Sequence, residues 1–331
     1  MDQDIIEIIR KNVEPFYVSR PWHDMKHIDN MLIGLEKLVT ASQEEKEDIQ
    51  LAILFHDVIY DTKKTDNEEK SAEFMRKHFE PYEGMLSKER LEHIEELILS
   101  TKNHSNKTTI VCLDLEILAA QFSELIEWEH EIFKEYQWAP INKYVNGRVN
   151  FLSKYVNRPN DDGSKDSRIA NLIQYVENRK YKIGIYPGSF NPFHVGHLDI
   201  LKQAEEIFDK VIVARGINPD KNKPECPLPE SITNCLDKDL KWNGAREVVE
   251  YGGLVTDLFK NAPSNVEYFL VRGLRNEADV AQEENFRKVV HDIDPSIKFA
   301  YFFSELSHIS SSMIRGLMPF DKEVAERYIV K

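Results

Sequence analysis

Up to about residue 180 the apolar positions recur every three or four residues, as in "IDNMLIGLEKLV", "EDIQLAILFHDVIY", "RLEHIEELILS" and "ELIEWEHEIFKEY". That spacing puts one apolar stripe on each helix, and alternating strand patterns are missing, so this half reads as all-helical. From Tyr181 the grammar changes. Short β-rich runs, "KIGIY", "KVIVARGI", "VEYFLVRG" and "IKFAYFF", alternate with helical stretches such as "HLDILKQAEEIF", "GLVTDLFKN" and "ADVAQEENFRKVVHDI". Strands alternating with helices predict a parallel sheet with crossover helices. The expected fold is therefore two domains, an all-α domain over 1–179 and an α/β Rossmann-like domain over 180–331. The polar stretch "NRPNDDGSKD" near 158–166 reads as a surface loop, because the amphipathic "SRIANLIQYVENR" after it continues the helical style.

Composition narrows the partners. The 331 residues carry a formal net charge of −14, which opposes sequence-independent nucleic-acid binding and attraction to anionic membranes. Small molecules are the expected partners. Cys112, Cys226 and Cys235 are too scattered for a disulfide framework or a four-thiolate zinc site. The acidic, helix-like start "MDQDIIEIIRKNVEPF" is no targeting segment, and a cytoplasmic location is the expectation.

The stretch "IGIYPGSFNPFHVGHLDI" (183–200) carries the densest chemistry. A buried strand that ends at Gly188 delivers the chain to the carboxyl edge of the sheet, where open α/β folds form their ligand crevice. Gly188 has no Cβ to obstruct a phosphate, and Ser189 offers a hydroxyl and an amide. Pro192 stiffens the loop, and a helix starting around Gly196 aims its N-terminus back at the same place. His194 and His197, three apart, share the face of that first turn.

The set GxFxPxHxGH directly after a β-run resembles the nucleotidyltransferase superfamily with its HxGH signature. "INPDKNKP", "VRGLRNEADVAQEE" and "HISSSMIRGL" follow in the order found in pantetheine-phosphate adenylyltransferases, so the resemblance covers roughly 181–318. It implies AMP transfer from ATP, with Mg2+, to a phosphorylated acceptor, releasing pyrophosphate. By that resemblance His197 meets the triphosphate, with His194 beside it, and Gly188, Ser189 and Phe190 line the phosphates. Lys221 and Arg272 hold the acceptor phosphate, and Val255 falls at an acceptor contact. Gly273, Leu274, Arg275 and Glu283 lie along the nucleotide, and Ser310, Ser311, Ser312 and Arg315 form a helix start over its phosphates. The expected acceptor is 4′-phosphopantetheine. Asn191 and His194 stand where those enzymes usually carry Asp and Thr, which leans toward nicotinamide-mononucleotide adenylyltransferases and cytidylyltransferases, the alternative reading. Relatives of this half also imply a homo-oligomer.

In the helical half, "LAILFHDVIYD" ends an apolar run with a His–Asp pair, an expensive placement unless the charge is paired or bound to metal. His27, His56, Asp57 and Asp114, in that order, resemble the HD superfamily of metal-dependent phosphohydrolases over about 17–178. The resemblance implies a divalent transition metal (Mn2+, Fe2+, Ni2+ or Zn2+) and a phosphoester substrate. "HDMKH" also resembles the pattern of cyclic-nucleotide phosphodiesterases, which makes His23 the candidate general acid; His23 and His27 would share one helical face if both are helical. His104 is a candidate additional ligand. Lys63, Lys64 and Lys107 read as a solvated charged face. A non-catalytic, nucleotide-sensing helical half is the alternative here, and a scaffold that only binds nucleotides a third reading.

Overall fold

The computed structural model describes residues 3–39, 41–82, 84–102, 104, 107–156, 167–217, 226–260 and 263–331. The 158–166 loop and Lys221 lie wholly or almost wholly outside them. The chain forms two compact units. One comprises residues 1–136, 155–172 and 235–244, and the other 137–154, 173–234 and 245–331. The sequence pattern places one cut at 179/180; in the structure the chain passes from one unit to the other several times.

The first unit is built from α1 (Gln3–Tyr17), α2 (Met25–Glu36), α3 (Gln43–Phe55), α4 (Asn67–Phe79), α5 (Lys88–Ser100), α6 (Thr109–Asp114) and α7 (Phe122–Glu135). Local signals set several of these starts. Ser42 and Ser87 cap α3 and α5 by accepting from the amides of Glu45 and Arg90 at 3.2 and 3.3 Å, each satisfying an N–H that the helix itself leaves unpaired. The last turns of α3, Leu51 to Phe55, are fully buried, and α3 packs on α2, α4, α5 and α6. A helical stretch apolar on every side belongs at the centre of its unit. Segment 235–244 completes this unit, and the Cys235 thiol lies 3.4 Å from the Thr62 hydroxyl.

The second unit holds α8 (Ile141–Ser153) and the later part of α9 (Ser167–Asn178). After them come β1 (Tyr181–Gly188), α10 (Val195–Glu205), β2 (Lys210–Gly216), α11 (Glu230–Thr233), β3 (Glu247–Tyr251), β4 (Val266–Leu274), α12 (Glu277–Ile293), β5 (Lys298–Phe303), α13 (Ser311–Leu317) and α14 (Lys322–Glu326). Residues 137–154 join this unit through buried polar bonds: Lys210 donates to the Ala139 carbonyl while pairing with Glu247 at 2.7 Å. The five strands are parallel in the order β3-β2-β1-β4-β5. The chain winds one way from β1 through β3 and then crosses to β4 on the other side. That reversal opens a crevice beyond the carboxyl ends of β1 and β4, where open α/β sheets bind ligands. The architecture is Rossmann-like.

One local expectation needs correction, one strand goes beyond the pattern, and one open condition is settled. "GLVTDLFKN" forms only a short 3-10 turn, Val255–Phe259, because two glycines before it and a proline after it leave no room for a longer helix. "EVVEY", unmarked in the sequence pattern, is β3; as an edge strand it keeps two glutamates and lacks the apolar run of a buried one. His23 is not helical, since Asp24 caps α2 by accepting from the amides of Lys26 and His27.

Candidate functional sites

In the sheet unit, Gly188 ends β1 and Phe190 takes a positive φ of 49°. A Cβ on Gly188 would stand 2.7 Å from the Phe190 ring, so this turn closes only around glycine. Phe190 and Phe193 fold back into the core and carry the loop out to His194, the N-cap of α10. The His194 and His197 rings stack with centroids 3.6 Å apart. His197 Nδ1 accepts the His194 backbone N–H at 3.2 Å, so a neutral His197 carries its proton on Nε2 and can donate it to an anion. Burial holds both imidazoles uncharged: His194 is lowered to about 4 by burial and then by Arg275, and His197 to about 3 by burial, His194 and Arg275. A neutral donor pair beside a guanidinium is ready to gain interaction energy when a multiply charged phosphate arrives.

Several of the other predicted residues lie on or near the same loop. Ser311 donates to the Pro192 carbonyl at 3.0 Å and Arg315 to the Asn191 carbonyl, tying the start of α13 to the histidine loop. Ser310 caps α13 by accepting from Met313 N at 3.1 Å, and Ser312 accepts from Arg315 at 3.1 Å. A Cβ on Gly273 would press on Ile200 of α10 at 3.0 Å, so the end of β4 lies against that helix. Arg272 pairs with Glu283 through Nε at 2.8 Å and through Nη2, and its guanidinium lies 4.9 Å from the Phe286 ring. Glu283 thereby fixes the guanidinium plane and leaves Nη1 to turn toward a phosphate. Arg275 is braced by Asp279 at 2.9 and 3.1 Å. Val255 packs on the apolar cluster of Leu270, Val290 and Ile297. Ser189 and Leu274 end their strand turns beside Gly188 and Gly273.

With that geometry in place, the comparisons are informative. Residues 185–317 match the cytidylyltransferase-like family model. The chain is 38% identical over 147 residues to a phosphopantetheine adenylyltransferase of Streptococcus pneumoniae (strain CGSP14), covering 44% of this chain and 88% of the relative. It is 35% identical over 145 residues to the enzyme of that name from Mycoplasma capricolum subsp. capricolum, covering 43% and 99%. The chain belongs to the phosphopantetheine adenylyltransferase family. Its sheet unit is accordingly a nucleotidyltransferase, and the family model leaves residues 1–136 and 155–172 of the helical unit uncovered.

The helical unit holds a second cluster. His27 stands in the first turn of α2, His56 caps the end of α3 with Asp57 next to it, and Asp114 ends α6. One side-chain donor atom from each of His27, His56 and Asp57 lies within 4.8 Å of the others. His27 Nε2 is 3.2 Å from Asp114 Oδ1, His56 Nε2 is 3.2 Å from Asp57 Oδ2, and His104 Nε2 is 3.1 Å from Asp114 Oδ2. The Nε2 atoms of His27 and His56 are buried without a hydrogen bond. His56 Nδ1 sits 2.9 Å from the Ile53 carbonyl; donating there leaves the Nε2 lone pair for a metal. Burial opposes charge on His56, Asp57 and Asp114. Even so, Asp57 and then Asp114 raise His56 to about 9, and His56 holds Asp57 well below the carboxylate range. Two buried carboxylates that keep their charge and two imidazole nitrogens without hydrogen-bond partners fit a divalent cation of the borderline class. A cavity of about 380 Å³ adjoins the cluster, lined among others by Trp22, His27, Asn30, Met31, Leu113 and Asp114.

His23 reaches the cluster from outside the helix, its ring 5.7 Å from that of His27. The pattern missed the residue that holds it there. Glu135, with no exposed side-chain surface, accepts from the amides of Trp22 and His23 at 2.9 Å each, from His23 Nδ1 at 2.6 Å and from the Tyr60 hydroxyl at 2.9 Å. Its signal was a glutamate three residues after Ile132 and seven after Trp128, on the buried stripe of α7. Lys63, Lys64 and Lys107 are exposed.

Proposed function

We propose that the sheet unit transfers AMP from ATP to 4′-phosphopantetheine, giving dephospho-coenzyme A and pyrophosphate. The observation that carries this is the His194–His197 pair held neutral, with Nδ1 of His197 occupied by the His194 amide so that Nε2 carries the proton, after the strand β1 that neighbours the strand of Arg272. An acceptor phosphate held by Arg272, Ser189 and Lys221 would attack the α-phosphorus of ATP. No covalent nucleophile is needed, so the protein contributes positioning and stabilisation of charge on the transferring group. Mg2+ accompanies the nucleotide and shields its phosphates. The names of the relatives favour phosphopantetheine. Asn191 and His194, which depart from the usual pattern of those enzymes, keep nicotinamide mononucleotide and a CTP-dependent reaction as the second reading. The test is pyrophosphate release with ATP or CTP against a panel of phosphorylated acceptors. His197→Ala should lower the rate by about 10²–10³-fold, the usual cost of a lost charge-stabilising donor; release with no acceptor would sink the proposal.

We further propose that the helical unit binds a divalent transition metal through His27, His56, Asp57 and Asp114, with His104 close by, and hydrolyses a phosphoester. When bound, such an ion polarises a phosphoryl oxygen and lowers the pKa of a ligated water. The chain's own part is to hold His23, through Glu135, where its Nε2 can protonate a leaving oxygen. Burial opposes charge on His23, but Glu135 outweighs it and raises its pKa above the ordinary value. Metal analysis together with phosphatase and phosphodiesterase assays on wild type and His56→Ala separates turnover from the alternative of a nucleotide-sensing module.

A further inference from the structure

We infer that Arg20 is a positioning residue that sets the spacing of the metal ligands in the helical unit; this rests on the metal reading above. Arg20 lies in the turn between α1 and α2 and is 4% exposed. Among the described residues no carboxylate reaches ion-pair distance of it. Its guanidinium donates instead to three carbonyl oxygens, Asp57 at 2.6 Å, Val58 at 3.1 Å and His23 at 3.3 Å. It rests 4.7 Å from the Tyr17 ring centroid and 5.4 Å from that of Tyr60.

A buried cation without a counter-ion is costly, and a helix end alone does not call for one. The carbonyls it serves explain the placement. Those of Asp57 and Val58 belong to the chain just leaving α3, where a positive charge is favoured by the helix dipole. The carbonyl of His23 belongs to the other ligand-bearing segment. One rigid planar fork therefore fixes the distance between the peptide of Asp57 and the turn that launches His27. A lysine ammonium, a point donor on a flexible stem, cannot hold both at fixed separation. Glu135 pins the same turn from the opposite polarity, through the amides of Trp22 and His23. Tyr17 donates to the Leu54 carbonyl at 3.0 Å and ties the same end of α3, while its ring, which a phenylalanine would keep, lies under the guanidinium.

The experiment measures Mn2+ affinity of the full chain by titration calorimetry for wild type, Arg20→Ala, Arg20→Lys and Tyr17→Phe, with helicity followed by circular dichroism. Both Arg20 variants should bind Mn2+ about ten- to a hundredfold more weakly, the range seen when groups that orient metal ligands are lost. Tyr17→Phe should stay within about twofold of wild type, and millimolar guanidinium should restore part of the affinity of Arg20→Ala. If Arg20→Ala does not fold, Arg20→Lys decides. A folded Arg20→Lys with wild-type affinity overturns this inference alone. Wild type that takes up no Mn2+ overturns the metal reading, and the inference with it.

Discussion

Glu135 is a full negative charge in the interior of the helical unit, kept there by four donors and by a pKa held below the ordinary value despite burial. Removing it would leave His23, Tyr60 and two amides unpaired in a dry environment. Glu135→Ala is expected to destabilise the unit by about 3–5 kcal/mol, measured by urea unfolding, and Glu135→Gln by less because an acceptor remains. The histidines of the sheet unit give a prediction of the opposite kind. His194 and His197 sit below their ordinary 6.5, at about 4 and about 3, so between those values and 6.5 the unfolded chain binds protons that the folded chain refuses. The stability they contribute is complete above pH 6.5 and is lost as pH falls toward 4 and then 3. The melting temperature of wild type should therefore drop between pH 7 and pH 5 more than that of His197→Asn. Sequence alone found these two histidines because glycine, proline and histidine cluster after a β-run. It missed Glu135, on the apolar stripe of α7, and Arg20, in a turn, because a buried charge becomes meaningful only once its partners, more than 30 residues away, are seen.

At the scale of elements, α13 is short and depends on its cap. Ser310→Ala should cost about 1 kcal/mol in unfolding experiments and loosen the ties from Ser311 and Arg315 to the loop after β1. A raised KM for ATP with a smaller change in kcat is the expected kinetic signature if, as the proposed reading has it, the cap orients groups that meet the nucleotide phosphates. The four strands with continuous apolar character were legible from pattern, and so was α10. β3 was not, because an edge strand needs only one good neighbour and β2 supplies it through Ile212 to Gly216. Whether His23 belongs to α2 stayed open in the sequence for a related reason. Asp24 stops the helix by capping it, and a "HDMKH" spacing by itself does not reveal which of its residues carries the cap.

At the scale of the whole chain, two clusters of different chemistry share one polypeptide, and the amino-acid pattern distinguished them before any coordinates did. Chelation followed by dialysis, then Mg2+ alone, should restore pyrophosphate release and leave phosphoester hydrolysis silent until Mn2+ is added. Among the described residues no helix is long and apolar enough to cross a membrane. What the pattern could not show is that residues 137–154 fold with the sheet and 235–244 with the helices, since such exchanges are decided by buried bonds like Lys210 to Ala139. This interleaving has a practical price for anyone dissecting the protein. A gene fragment ending at residue 179 would encode helices lacking their last ten-residue strip and trailing an orphaned α8, while its complement would begin with a sheet missing a brace and carrying a strip with nothing to fold onto. Independent halves would have to be obtained by rewiring the chain order rather than by scissors.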